Sequence, residues 1–194
     1  PPRSTLFPYT TLFRSSYISD IQKRPNGPDD LFYPTGVAVD ENFIYISDVY
    51  NNRIVKKNKS DLSYVTEIGT IIPGSGDDQF NTSYGLEVDD QYLYVADYSN
   101  HRIKRHNKSD LSFVDKLQPG SGTGTNNITN PFDVAIDDNF IYLIEYGNCR
   151  LKKINKNTWE TIAVTGGPSG TCNKNPENFL NPTSVDVNGG FVYV

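Results

Sequence analysis

The sequence predicts an all-β protein built from a repeated unit of four short antiparallel strands, and three observations support this prediction. One stretch occurs three times, as IYISDVYNNRIVKKNKSDLSYV from residue 44, LYVADYSNHRIKRHNKSDLSFV from residue 93 and IYLIEYGNCRLKKINKNTWETI from residue 141, so the period is 49 and then 48 residues. Each copy divides into strand-like runs separated by turn-forming residues. No segment shows a sustained 3.6-residue period, so helices are not predicted.

The first repeat shows the four predicted strands in order. Residues 36–39 form a short apolar run, and residues 43–47 are rich in the aromatic and β-branched side chains that favour strands. Residues 53–58 alternate less regularly, and residues 62–68 complete the unit. The connectors have the Asp, Asn, Ser and Gly composition that is typical of turns: residues 40–42, 50–52, 59–61 and 73–76.

A shorter motif precedes each copy and predicts how the units pack together. It begins PTGVAV at residue 34, SYGLEV at 83 and PFDVAI at 131, and a fourth example, PTSVDV, begins at residue 182. Its apolar residues alternate, which suits an inner strand with one face packed on the neighbouring unit. Four strands cannot bury both faces of a sheet alone, whereas units stacked around a ring can. The sequence therefore predicts a β-propeller, with a β-solenoid as the alternative left open.

Two of these stretches resemble a known repeat. DVYNNRI at residues 48–54 and DYSNHRI at residues 97–103 resemble the signature of NHL repeats, and PTGVAVD at residues 34–40 resembles the opening strand of that family. WD repeats fit less well because no Trp-Asp pair is present, and the double glycine of kelch repeats occurs only at residues 189–190. NHL propellers usually have six blades. The resemblance therefore implies a partial β-propeller, about half of a six-bladed ring that is monomeric when complete.

The resemblance also divides the chain. It covers nearly all of residues 16–194, as the last strand of one blade near Tyr17, three full blades and the start of a further blade. Residues 1–15, PPRSTLFPYTTLFRS, are expected to lie outside the fold, because they resemble the translation of a common sequencing adapter. We therefore expect a metagenomic sequence that is truncated at both ends. A secretion signal fits less well, since Pro8 interrupts the apolar run and no small-residue cleavage site follows.

Composition argues against several classes of partner and cofactor. The net charge is −5, which disfavours nucleic acid as a partner. No apolar stretch approaches the roughly 20 residues of a membrane-spanning helix. The glycine-rich run at residues 120–124 is not followed by a helix pattern, so no dinucleotide site is predicted. His101 and His106 are the only histidines and form no paired motif, so we predict no metal site and no cofactor.

An acidic residue and an arginine recur five positions apart across the turn between the second and third strands of each repeat. A charge-assisted hydrogen bond between them would pin the turn. Because a catalytic site rarely occurs once per repeat, we interpret these residues as structural: Asp48 with Arg53, Asp97 with Arg102, and Glu145 with Arg150.

The same turns and the loops between blades should share one edge of the ring, which we call the top face. Tyrosine offers a large contact area at low entropic cost, so these turns are candidates for binding a protein partner. The alternative is that they pack on neighbouring loops. The candidate binding residues are Tyr50, Tyr98, Tyr146 and His101.

Two further sets of charges have opposite interpretations. Basic residues on the third strands are expected to form a solvated outer face: Lys56, Lys57, Lys104, Arg105, Lys152 and Lys153. Acidic residues at inner-strand positions, Glu87, Asp133 and Asp186, could hold a cation near the central channel or have no such role.

The chain has two cysteines. Cys149 lies in a top-face turn and Cys172 in the long loop that leaves the same blade, so a disulfide between them is one interpretation. It would indicate an oxidising compartment, as four Asn-X-Ser/Thr sites also suggest.

The leading function is a non-catalytic scaffold that recognises a protein partner. The alternative is a metal-dependent lyase or hydrolase of the propeller class, with its metal ligands in blades missing from this chain.

Overall fold

The computed structural model of the chain describes residues 27, 29–167, 172 and 179–194. The adapter-like segment 1–15 and the strand predicted near Tyr17 lie outside the described residues. Within the described residues the regular structure consists of strands and two single-turn 3-10 helices, Val49–Asn51 and Tyr98–Asn100. No helix in this part is long and apolar enough to span a membrane.

The strands of the described residues form three four-stranded antiparallel sheets and one hairpin, which confirms the all-β prediction. In each sheet the strands pair in sequence order. Blade 1 has β1 Pro34–Val39, β2 Phe43–Asp48, β3 Arg53–Asn58 and β4 Tyr64–Gly69. Blade 2 has β5 Ser83–Val88, β6 Tyr92–Asp97, β7 Arg102–Asn107 and β8 Phe113–Leu117. Blade 3 has β9 Pro131–Ile136, β10 Phe140–Glu145, β11 Arg150–Asn155 and β12 Thr161–Gly166, and the hairpin, blade 4, has β13 Asp186–Asn188 and β14 Phe191–Tyr193.

Recurring polar residues shape the turns between strands. After β1, Asp40 Oδ1 accepts hydrogen bonds from the amides of Asn42 and Phe43 at 2.8 and 2.7 Å. Asp89 and Asp137 accept the corresponding bonds in blades 2 and 3. The fourth strand of blade 1 begins at residue 64 rather than at the predicted residue 62, because Leu62 has a φ of 60° and belongs to the turn. We call the edge that carries these turns the bottom face.

The hydrophobic core lies between adjacent blades. One cluster joins blade 1 to blade 2 and includes Tyr45, Ile54, Leu86 and Leu93. Similar clusters join blade 2 to blade 3 and blade 3 to blade 4. On blade 1 the face that would meet a preceding blade is open: Val37 is 63% exposed, whereas its equivalent Leu86 is 5% exposed.

The inner strands β1, β5, β9 and β13 lie side by side. A Cβ at Gly36 would collide with the carbonyl oxygen of Tyr84, and one at Gly85 would lie 2.5 Å from Cα of Asp133. Glycine is therefore required where these backbones approach, and the approach brings side chains of successive inner strands to one surface.

Candidate functional site

Hydrogen bonds hold the top-face turns against the segments that lead into the inner strands. The amide of Tyr50 donates to the carbonyl of Phe32 at 3.2 Å. The amides of Tyr98 and Tyr146 donate to the carbonyls of Thr82 and Asn130 at 3.2 and 3.0 Å. The turn of each blade and the loop entering that blade therefore form one surface.

Buried ion pairs support this surface in blades 1, 2 and 3. Arg102 Nε lies 2.7 Å from Asp97 Oδ2, and both side chains are 0% exposed. The other oxygen of Asp97 accepts a 2.9 Å hydrogen bond from the amide of Asn81, in the loop entering blade 2. Equivalent ion pairs join the other predicted partners: Asp48 with Arg53, and Glu145 with Arg150.

Each arginine also holds the incoming loop by its carbonyl groups. Arg102 donates to the carbonyls of Ser75, Gly76 and Gln79 at 2.7, 3.1 and 2.9 Å. Arg150 makes the same kind of contacts with residues 123–127. Since each guanidinium nitrogen of Arg102 and Arg150 donates to a protein oxygen, these arginines fix the loops rather than face a ligand.

The expectation that the third-strand basic residues form a solvated face is wrong for Lys56, Lys104 and Lys152, which are buried. Lys104 Nζ donates to the carbonyls of Asp77 and Gln79 and lies 4.2 Å from the centroid of the Phe80 ring. Burial lowers the pKa of Lys104 to about 8. The physical reason is that loop carbonyls solvate the ammonium group, a contact that local sequence pattern does not indicate.

The last residue of each top-face turn connects to the chain that enters the next blade. Asn52, His101 and Cys149 occupy this position with φ values of 50°, 54° and 50°. The Asn52 side chain accepts a hydrogen bond from the amide of Thr82 at 3.3 Å, and His101 Nδ1 accepts one from the amide of Asn130 at 3.1 Å. His101 thus has a structural contact.

In blade 3 a disulfide takes the place of this hydrogen bond. Cys149 is bonded to Cys172, and their Cα atoms lie 5.3 Å apart. The bond ties the top-face turn of blade 3 to the loop that leads to blade 4. Each blade boundary in the described part therefore has its own link at the top face.

Four aromatic rings form a continuous patch on the top face, which we call the aromatic shelf: Tyr84, Tyr98, Phe132 and Tyr146. The rings of Tyr84 and Phe132 stack with centroids 4.4 Å apart, and the Tyr98 ring meets Tyr84 edge-on at 5.1 Å. Tyr146 lies 5.9 Å from Phe132 and 6.4 Å from Tyr98. All four side chains remain partly exposed.

The structure brings two of the predicted binding tyrosines, Tyr98 and Tyr146, into this shelf. Tyr50 instead stacks on Tyr33 with ring centroids 4.9 Å apart and contacts Phe32 at 5.1 Å. Tyr84 and Phe132 were not predicted as binding residues from the sequence. They occupy the second position of their inner strands, where the other repeats have threonine, so repetition gives no signal for them.

A cavity of about 270 Å³ opens between the inner strands, beside the shelf. Tyr84 and Phe132 line it together with Asp133, Thr183 and Ser184. The Asp133 carboxylate accepts a 2.9 Å hydrogen bond from the amide of Val185 and thereby connects blade 3 to the start of blade 4.

Three carboxylates occupy the inner strands near this cavity. Burial raises the pKa of Glu87, and the nearby Asp133 and Asp186 raise it further. Burial also raises the pKa of Asp133. Within the described residues, however, no three His, Cys, Asp or Glu side chains are grouped so that they could hold a metal ion. The cation site considered from the sequence therefore has no such support there.

Comparisons with known proteins agree with the fold. The family model for the NHL repeat matches residues 33–56. The crystal structure of Myxococcus xanthus glutaminyl cyclase aligns with 14% identity and a TM-score of 0.54, covering 81% of this chain and 64% of that one. Hydrazine synthase of Kuenenia stuttgartiensis aligns with 12% identity and a TM-score of 0.61, covering 85% and 42%. A streptogramin B lyase structure aligns with 14% identity and a TM-score of 0.59, covering 84% and 46%.

These findings confirm the predicted NHL repeat and the β-propeller fold. No curated protein matches the sequence. The chain spans less than two thirds of the length of each of these three structures. At such low identity the likeness concerns the fold alone.

Proposed function

From a chain that carries an NHL repeat and folds as blades of a β-propeller, we propose that this protein is a non-catalytic recognition scaffold whose protein partner contacts the top face. The observation that carries the proposal is a partly exposed aromatic shelf on a rigid frame. Aromatic side chains dominate the energetics of protein interfaces, and a site is precise when packing and hydrogen bonds lock its support.

The frame is supplied by the buried ion pairs. Asp97 and Arg102 hold the incoming loop and the turn that carries Tyr98, and Glu145 with Arg150 do the same for Tyr146. The shelf rings therefore lose little further conformational entropy when a partner binds. This lowers the cost of binding relative to a surface that must first become ordered.

A displayed library of random peptides tests the proposal. Peptides selected on the 194-residue chain should lose at least tenfold in affinity for a Tyr98→Ala, Tyr146→Ala variant, since two central contacts are removed. Tyr64→Ala is the matched control, because Tyr64 lies on the outer strand β4. If the selected peptides bind the top-face variant as well as the unchanged chain, the proposed binding face is wrong.

We further infer that the complete ring has six blades and is monomeric. A second inference is that the protein is exported to an oxidising compartment. The open face of blade 1 and the NHL resemblance support a larger ring, and the pairing of Cys149 with Cys172 supports an oxidising environment. Intact mass of the chain with and without reductant and alkylation tests the second inference. Two alkylated thiols before reduction would contradict it.

The second candidate is a metal-dependent lyase or hydrolase whose metal ligands lie in blades beyond this chain. It is favoured by the names of two structural neighbours, a cyclase and a lyase. Metal analysis, after dialysis, of a chain extended to the proposed six blades separates the two candidates. Bound transition metal at one ion per chain would favour the enzyme, and its absence after loading would favour the scaffold.

A further inference from the structure

We propose that the aromatic shelf and the adjoining cavity accept a lysine or arginine side chain from a basic peptide segment of the partner. The inference rests on the proposed top-face recognition and adds the chemistry of the segment that is recognised. Three features carry it: the arrangement of the rings, the size of the cavity and the charge around it.

The rings of the shelf have no cation over them from the described residues. Elsewhere in the described blades, aromatic rings are paired with cations of this chain: Lys56 lies 4.0 Å from the Phe43 ring and Lys153 lies 3.8 Å from the Phe140 ring. Arg105 lies 4.9 Å from the Tyr92 ring. Within the part of the chain that the structure describes, no lysine or arginine lies over a shelf ring. A cation from a partner would therefore meet no competing lysine or arginine of the described residues at these rings.

The cavity is smaller than sites that enclose a whole small molecule. Its volume of about 270 Å³ lies just below the range of roughly 300–1,000 Å³ for such sites, so we match it to one side chain of a partner. Tyr84 and Phe132 belong both to the shelf and to the cavity wall, and Asp133 lines the same wall. A side chain that enters the cavity would pass the rings and bring its charged end towards the carboxylate.

The surrounding charge selects a cation. Glu87, Asp133 and Asp186 lie on adjacent inner strands and repel one another electrostatically. Among the described residues, no lysine, arginine or histidine forms an ion pair with any of the three. The net charge of −5 adds attraction for a basic segment at longer range. An acidic segment would be repelled by these carboxylates, and a neutral one would gain nothing from their charge.

Fluorescence anisotropy with three labelled nonapeptides tests the inference on the 194-residue chain. One peptide alternates arginine and serine, the second glutamine and serine, and the third glutamate and serine. We expect the arginine peptide to bind at least tenfold more tightly than the other two, with an advantage that shrinks as salt is raised. Equal binding of the three peptides, or no binding of the arginine peptide, would overturn the inference.

Matched variants locate the contact. Asp133→Asn removes the charge and keeps an oxygen that can accept the bond from the Val185 amide, and Tyr98→Leu removes a ring face but keeps apolar bulk. Each substitution should weaken the binding of the arginine peptide by about three- to thirtyfold. Asp110→Asn, in a bottom-face turn, is the control and should have no effect. A loss for the control equal to that for Asp133→Asn would overturn the inference.

A measurement on the unchanged chain covers the case in which a variant does not fold. Saturation with the arginine peptide should shift the ring resonances of Tyr84 and Tyr98 and leave Tyr64 unshifted; the reverse pattern would contradict the inference. If library-selected peptides bind the top face but are not enriched in basic residues, this inference fails while top-face recognition stands. If they do not use the top face, the proposed function fails.

Discussion

Replacement of Arg102 by methionine should show how much the fold depends on the buried ion pairs. Arg102 and Asp97 are both fully buried, and the guanidinium also donates to three loop carbonyls at 2.7–3.1 Å. Methionine keeps much of the side-chain volume but leaves the Asp97 carboxylate without its cation. Removal of one partner of a buried pair typically costs about 3–5 kcal/mol, and the loop carbonyls that lose a donor place this variant towards the upper end.

Urea unfolding followed by circular dichroism provides the assay, with the free energy of unfolding from linear extrapolation. Lys116→Met is the control, because the Lys116–Asp77 pair is exposed, with side-chain exposures of 32% and 57%. This control should lose far less stability, since water screens an exposed pair. A loss below about 1 kcal/mol for Arg102→Met would refute the view that the acid–arginine pairs hold the top face together.

Three further perturbations test other parts of the structure. His106 is buried with Nε2 unpartnered, and burial lowers its pKa to about 4 from an ordinary 6.5. As the pH falls, the unfolded chain therefore binds a proton at His106 before the folded chain does. The free energy of unfolding should fall progressively from about pH 6.5 to 4, by on the order of 3 kcal/mol in total. His106→Ile, which introduces the residue type of the equivalent Ile154, should flatten this part of the pH–stability curve, and parallel curves for the two proteins would contradict the assignment. Cys149→Ser opens a link across a sequence separation of 23 residues and should cost about 3 kcal/mol, as should reductant added to the unchanged chain; no change in urea midpoint with reductant would count against a stabilising disulfide. Gly85→Ala should lower the thermal midpoint because its Cβ would lie 2.5 Å from Cα of Asp133, whereas Gly124→Ala meets only the side chain of Asn127 and should have a smaller effect; equal midpoints would show that the inner strands can move apart.

The repeat made most of the fold predictable from the sequence. A period near 49 with four strand-like runs is a property of the whole chain, so it survives local ambiguity, and β2 and β3 lie where the pattern of blade 1 placed them to within a residue. The start of β4 was misplaced by two residues because Leu62 is apolar yet adopts a left-handed turn conformation. Apolar pattern alone does not indicate the sign of φ.

The candidate site was only partly predictable, for a physical reason. An acidic residue and an arginine recur five positions apart in each of the three full repeats, so the pairing of Asp97 with Arg102 follows from local spacing. The stacking of Tyr84 on Phe132 joins residues of different blades at positions that vary between repeats. Lys104 was misread because the carbonyls that solvate it lie 25 and 27 residues away. Contacts between blades depend on three-dimensional packing that one repeat does not encode.

Hydrogen exchange of the chain with and without its tightest library-selected peptide tests the central claim most directly. We predict slower exchange in the top-face segments 81–85, 98–101 and 130–133, which surround the shelf, and no change in the bottom-face turns at residues 59–63 and 108–112. Protection confined to the bottom-face turns, or to the outer strands, would contradict the account of the top face as the surface that binds the partner.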